Sequence, residues 1–236
     1  MSNGWALVTG SARRLGKAIA LELARAGYDQ IIHYNSSRDE AEATVAEVQA
    51  LGRDAWSIRA DLRDPNAIEH LFSRIKDRCD TLAVLVNSAA DFPRTPVGTV
   101  TIEQWDHLMA LNLRAPFFCA QHAAALMPNG GVIVNIADVG GEVVWKGYVP
   151  YAMGKAGIIM MTRGLAVALA PKIRVAGVAP GVALLPDGWN DDKPLERVPL
   201  DRAGTPDDIA RTVRFIVESP YLTAETIFVD GGRRWG

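Results

Sequence analysis

The chain has 236 residues, 25 Lys and Arg against 27 Asp and Glu, a net charge of −2 and 49% hydrophobic residues. That length supports one substantial core and hence one domain over 1–236, and the balanced charge excludes a surface built to bind nucleic acid or anionic membrane. Cys79 and Cys119 lack metal-ligand spacing, and His33, His70, His107 and His122 share none, so neither a disulfide scaffold nor a metal site is expected.

Met1-Ser2-Asn3-Gly4 runs into an apolar segment with no charged stretch or cleavage site between them, which makes a cytoplasmic location the expectation. Residues 5–9 read as a strand ending at Gly10, and 14–26 carry apolar residues at helical spacing until Gly27 stops them. Further strands are expected at 30–34, 55–60, 81–87, 132–137, 173–179 and 226–230, with helices at 38–51, 65–78, 102–127, 151–170 and 206–218. This alternation predicts an α/β fold: a single Rossmann-like, doubly wound parallel sheet with helices on both faces. The longest apolar run, 156–170, contains Arg163 and is too short to span a bilayer, so no membrane segment is expected. Residues 181–202 follow a strand end and are rich in Pro, Asp and Trp. They form a candidate substrate lid, with Trp189 as a substrate contact. Trp56, Trp105 and Trp145 read as packing residues.

Thr9-Gly10-Ser11-Ala12-Arg13-Arg14-Leu15-Gly16 joins the first strand to the first helix. Glycines there let backbone approach a pyrophosphate, and a helix N-terminus offers unpaired N–H groups and a favourable dipole. The second strand ends in His33-Tyr34-Asn35-Ser36-Ser37-Arg38, with no acid before Asp39 to take ribose hydroxyls. Arg14, Ser37 and one of Arg13 or Arg38 are placed to hold a 2′-phosphate instead, which favours NADPH over NADH.

Tyr151 and Lys155 stand at i and i+4, on one face of a helix, and Asp138 precedes the tyrosine by thirteen residues. An ammonium beside a phenol lowers its pKa, so the pair reads as a proton donor or acceptor tuned toward neutrality.

Together with Asp61-Leu62, Asn87-Ser88-Ala89-Ala90, Asn112, Pro180-Gly181 and Asp230-Gly231-Gly232, these motifs resemble the short-chain dehydrogenase/reductase family along essentially the whole chain. Asp138 in place of the usual serine and Arg14 in place of the usual middle glycine are similar to the pteridine reductase branch, as are His33-Tyr34, Ser37, Phe92 and Gly147-Tyr148; dihydromonapterin reductases share several of these traits. The resemblance implies a homotetramer and an active site of Asp138, Tyr151, Lys155 and Asn112. Lys155 would hold the nicotinamide ribose and keep Tyr151 acidic, and Asn112 would interrupt its helix to hold a relay water. It also implies NADP(H) contacts from Gly10, Arg13, Arg14, Leu15, Gly16, His33, Tyr34, Asn35, Ser36, Ser37, Asp61, Leu62, Asn87, Ser88, Ala89, Tyr151, Lys155, Pro180, Gly181 and Val182. Phe92 would stack on a flat ring, with Tyr148 and Asp138 at the substrate.

An ionised carboxylate would repel the oxyanion of a ketone reduction, whereas a carboxyl raised in pKa by burial can hydrogen-bond and protonate a ring nitrogen. The expectation is therefore hydride transfer from NADPH to a pterin-like C=N bond, giving tetrahydropterin from dihydropterin. The alternatives are a carbonyl reductase acting on a ketone or 3-oxoacyl thioester and, from another class, a non-catalytic NADPH-binding sensor.

Overall fold

Strand residues such as Leu7, Ile31, Ile32, Leu85 and Val134 are fully buried, as they must be where helices cover both faces of a parallel sheet. The computed structural model, which describes residues 2–183 and 195–236, contains seven strands: β1 (Trp5–Val8), β2 (Asp29–Tyr34), β3 (Ala55–Arg59), β4 (Val84–Asn87), β5 (Gly131–Ile136), β6 (Ile173–Pro180) and β7 (Thr226–Val229). They pair in parallel in the order β3-β2-β1-β4-β5-β6-β7. The chain winds outward from β1 to β3, then returns to the other side of β1 as β4. That reversal opens a crevice at the carboxyl ends of β1 and β4, the place where open α/β sheets bind ligands.

The helices are α1 (Arg14–Arg25), α2 (Arg38–Ala50), α3 (Pro65–Cys79), α4 (Ile102–Met109), α5 (Ala115–Ala125), α6 (Val149–Leu169) and α7 (Pro206–Glu218). Alternation along β1 sends Ala6 and Val8 to a core shared with α1, α2 and α7, and Leu7 to a core shared with α3, α5 and α6. The stripe Ile209, Ala210, Val213, Ile216 and Val217 gives α7 its buried face; burying each Ile or Val contributes about 1.5–3 kcal/mol. Local chemistry starts the helices. Thr205 and Asp208 form a capping box on α7, Thr101 and Gln104 do the same for α4, and Asp64 caps α3 ahead of Pro65.

One expected helix is corrected here and one is borne out. The helix expected over 102–127 is broken into α4 and α5 by a π-helical turn at Ala110–Arg114, whose i→i+5 bonding inserts a residue into the helix. The helix expected over 151–170 is found at Val149–Leu169, and it carries both Tyr151 and the apolar run from 156. At 21 residues α6 is long and apolar enough to cross a bilayer by length and composition alone. In the fold it instead lies against β6, burying Ile158, Thr162 and Ala166.

Candidate active site

At the crevice, Thr9 Oγ1 accepts hydrogen bonds from the backbone N–H groups of Ser88 (2.9 Å) and Ala89 (3.0 Å), drawing the loop after β4 onto the loop after β1. Gly10 has φ +68°, and a Cβ on Gly16 would lie 2.3 Å from the Gly10 carbonyl oxygen, so both positions demand glycine. Arg14 occupies the same left-handed region, at φ 54°, where a side chain is strained. Its side chain and that of Arg13 are exposed at the start of α1. Asn35 and Ser37 are partly open at the end of β2, Ser36 is exposed, and the Ser37 side chain makes no cap bond to α2. Pro180, Gly181 and Val182 close the far side, where Gly181 packs so tightly on Asp230 that a Cβ would come within 2.7 Å of its Cα. This glycine-lined cradle, with two arginines and an open serine where an NAD-type acid would stand, fits a dinucleotide carrying a 2′-phosphate.

Three cofactor-side residues, His33, Asn87 and Leu62, are buried and not open to the crevice, and Asp61 has a partner of its own. His33 is only 2% exposed and lies beneath the phosphate loop, accepting from the Gly10 N–H at Nδ1, because its strand position points inward. The Asn87 side chain is buried, and its Nδ2 donates to Asn135 Oδ1 (2.9 Å) and the Pro116 carbonyl (3.2 Å). Asp61 is held by the Arg63 guanidinium through two 2.8 Å contacts, which keep its carboxyl below the usual range, and Leu62 is buried. Arg59, which the sequence did not single out, donates to the Asn35 carbonyl (3.0 Å). Its nearness follows from the β2–β3 register, Tyr34 opposite Arg59, and only strand pairing reveals it.

Asp138 stands just beyond β5, oriented by the Gly140 N–H at Oδ1 (2.6 Å). The Tyr151 hydroxyl donates to Asp138 Oδ2 at 2.9 Å. Lys155 Nζ donates to the Ile136 carbonyl (2.9 Å) and lies 5.6 Å from the centre of the tyrosine ring. The three side chains thus converge as the spacing implied. Burial raises the Asp138 carboxyl, against opposing pulls from Gly140 and Lys155, and lowers Lys155 to about 8. Tyr151 is pushed well above its ordinary value, by burial first and then by the neighbouring carboxylate. The expectation that Lys155 keeps Tyr151 acidic is therefore corrected: the phenol answers to Asp138, while the ammonium is tied to a backbone carbonyl. A phenolate and a carboxylate 2.9 Å apart would repel by roughly 6 kcal/mol at an effective dielectric of about 20, so the pair retains a proton at neutral pH.

Asn112 sits in the π-helical turn and is 1% exposed, so it is no solvated helix residue. Its Oδ1 accepts from the Asp91 N–H (2.9 Å) and its Nδ2 donates to the Asp91 carbonyl (2.8 Å). Through these two bonds the Asn112 side chain clamps the loop that carries Phe92. Phe92, 49% exposed, stacks on Tyr148 at 4.4 Å and meets the Tyr151 ring edge-on at 4.5 Å. Trp145, expected as packing, completes this aromatic wall, edge-on to Phe92 at 5.9 Å. Arg233 lies over the Trp145 ring at 5.9 Å, and Arg234 pairs with Glu142 at 3.1 Å, so the C-terminal turn forms part of the same wall. No local sequence signal marks Trp145 or Arg233, because only the fold brings them together. Trp189 and half of the expected lid, residues 184–194, lie outside the described residues.

The chain matches the family model described as enoyl-(acyl carrier protein) reductase over residues 10–234. It is 36% identical over 237 residues to the 3-oxoacyl-[acyl-carrier-protein] reductase FabG of Staphylococcus aureus strain Mu50, covering 96% of each chain. Among solved structures it resembles the landomycin C-6 ketoreductase LanV with bound NADP and rabelomycin (TM-score 0.92, 30% identity, 100% of this chain and 98% of that one). It also resembles a blue fluorescent protein from a metagenomic library in complex with NADPH (TM-score 0.93, 35% identity, 98% of each chain).

Proposed function

The chain belongs to the short-chain dehydrogenase/reductase family, and on that premise we propose that it is an NADPH-dependent reductase that converts a ketone, such as a 3-oxoacyl group, to an alcohol. The observation that carries this reading is the buried Tyr151 hydroxyl aimed at Asp138, with Lys155 behind it. NADPH supplies the hydride when bound, with the Gly10–Gly16 loop, Arg14 and Ser37 as its holders. Tyr151 delivers its proton to the substrate oxygen. Asp138 accepts from the Tyr151 hydroxyl and holds that donor in place, and burial raises its carboxyl, which weakens the electrostatic objection to a ketone. Lys155 keeps a positive charge close to the developing oxyanion. Asn112 is a positioning residue that fixes Phe92 through Asp91.

A second reading, a dihydropterin C=N bond as acceptor, is favoured by one observation: a carboxyl where the family usually has serine, facing an aromatic wall suited to a flat ring. The 3-oxoacyl reductases among the relatives support the ketone reading over it. NADPH oxidation by the purified protein with 3-oxoacyl thioesters, cyclic ketones and dihydropterins separates the two; turnover confined to dihydropterins overturns the first. Tyr151→Phe binding NADPH without turnover separates an enzyme from a sensor. The proposal includes a homotetramer in the cytoplasm. The exposed apolar stripe of Met153, Met160 and Val167 on α6 supports self-association, and light scattering on the purified protein tests it.

A further inference from the structure

We infer that His33 aligns three cofactor-facing segments with one another, a positioning role for a side chain buried beneath them. This rests on the proposed binding of NADPH and goes beyond it. Residue 33 engages the phosphate loop at three points: its N–H donates to Ser11 Oγ (3.1 Å), its carbonyl accepts from the Ser11 N–H (3.0 Å), and its ring Nδ1 accepts from the Gly10 N–H (2.9 Å). On the other side of the ring Nε2 lies 3.1 Å from the carbonyl oxygen of Ala60, the residue just before Asp61-Leu62.

A carbonyl only accepts, so Nε2 carries the proton, and Nδ1 is left with the lone pair that the Gly10 N–H requires. The neighbours thus dictate one neutral tautomer. The ring is shut off from water, so no solvent molecule takes over either bond when it is removed. Through this one imidazole the loop for the pyrophosphate, the end of β2 and the segment after β3 are held in fixed register. A dinucleotide spanning all three meets them already arranged, which lowers the ordering cost of binding.

Two substitutions divide the bridge. Asparagine places Oδ1 about where Nδ1 stands and keeps an acceptor for Gly10, but it does not reach Ala60. Glutamine can carry an N–H to Ala60 and loses the acceptor for Gly10. Leucine has neither. Fluorescence titration of the intact protein with NADPH should show His33→Leu binding about tenfold or more weakly, the consequence of a buried N–H without an acceptor. His33→Asn should recover most of that loss and His33→Gln less, with KM for NADPH moving far more than kcat. Thermal melting establishes that each variant is folded. His33→Leu binding NADPH within about twofold of the native protein overturns the inference, as does Asn binding no better than Leu. Should Leu fail to fold, Asn and Gln decide, and equal affinities overturn the role of the Gly10 bond. A native protein that fails to bind NADPH overturns the cofactor reading instead.

Discussion

Arg14→Gly and Arg14→Ala, made side by side, separate strain from recognition at one residue. With φ at 54°, Arg14 lies where a β-carbon costs about 1–2 kcal/mol. Glycine removes that cost, although its greater freedom in the unfolded chain offsets about 0.5–1 kcal/mol. Alanine keeps the strain. Both variants lose the same guanidinium, so their difference of roughly 1 kcal/mol reports the backbone alone, and in a chain of 236 residues it corresponds to about 2–4 °C in Tm. Melting of the ligand-free proteins should therefore place Arg14→Gly above Arg14→Ala. Both should bind NADPH about ten- to a hundredfold more weakly, the worth of a charge-assisted phosphate contact, with NADH affected far less. Equal melting temperatures would refute the strain argument. Equal losses for NADPH and NADH would refute the 2′-phosphate contact.

Asp138→Ser should keep ketone reduction within about tenfold, since a serine oxygen can also accept from the Tyr151 hydroxyl, and should lower any dihydropterin reduction by about a hundredfold; ketone turnover collapsing as well would reject the acceptor role given to position 138. With Lys155 lowered to about 8, its ammonium is lost as the pH rises through that value. The rate should then fall on the alkaline side of about pH 8, and a flat profile from pH 7 to 9.5 would show that the ammonium is not needed. His33 is lowered by burial to about 4 from an ordinary 6.5, so between those values the unfolded chain binds a proton that the folded one refuses. Its contribution to stability is complete above about pH 6.5 and declines as the pH falls toward 4, by about 3 kcal/mol in all. Asp61 is the charge that faces the ring. Urea unfolding at pH 7, 5.5 and 4.5 should show the native protein losing more stability than His33→Asn, and parallel losses would contradict the linkage.

Where the physics is local, the sequence was informative. Strand-helix alternation, the glycines of the phosphate loop and the i, i+4 pair all express short-range geometry, and each lies where the spacing put it. The resemblance implied an interruption at Asn112 but not its form, because Ala110, Leu111 and Leu113 suit a regular helix and the π-helical insertion is sustained by Asn112 reaching across to Asp91. His33 looked like a cofactor contact because its neighbours in sequence are open to the crevice; strand alternation turns it inward instead. The group that tunes Tyr151, Asp138 in place of Lys155, differs from expectation for a related reason. Spacing predicts which side chains share a face, while the end of β5 decides which oxygen each one finds.

α6 presents a different function on each of its faces. Along one face Tyr151 and Lys155 meet the crevice and Ile158, Thr162 and Ala166 continue the same stripe onto the sheet, while on the opposite face Met153, Met160 and Val167 look outward at 50%, 66% and 78% exposure. A hydrogen-bonded rod does not turn one face without turning the others. A contact made on the outer stripe therefore acts on the same lever that sets the distance between phenol and carboxyl. Substitutions at Met160 that look harmless on the surface should be judged by turnover as well as by assembly.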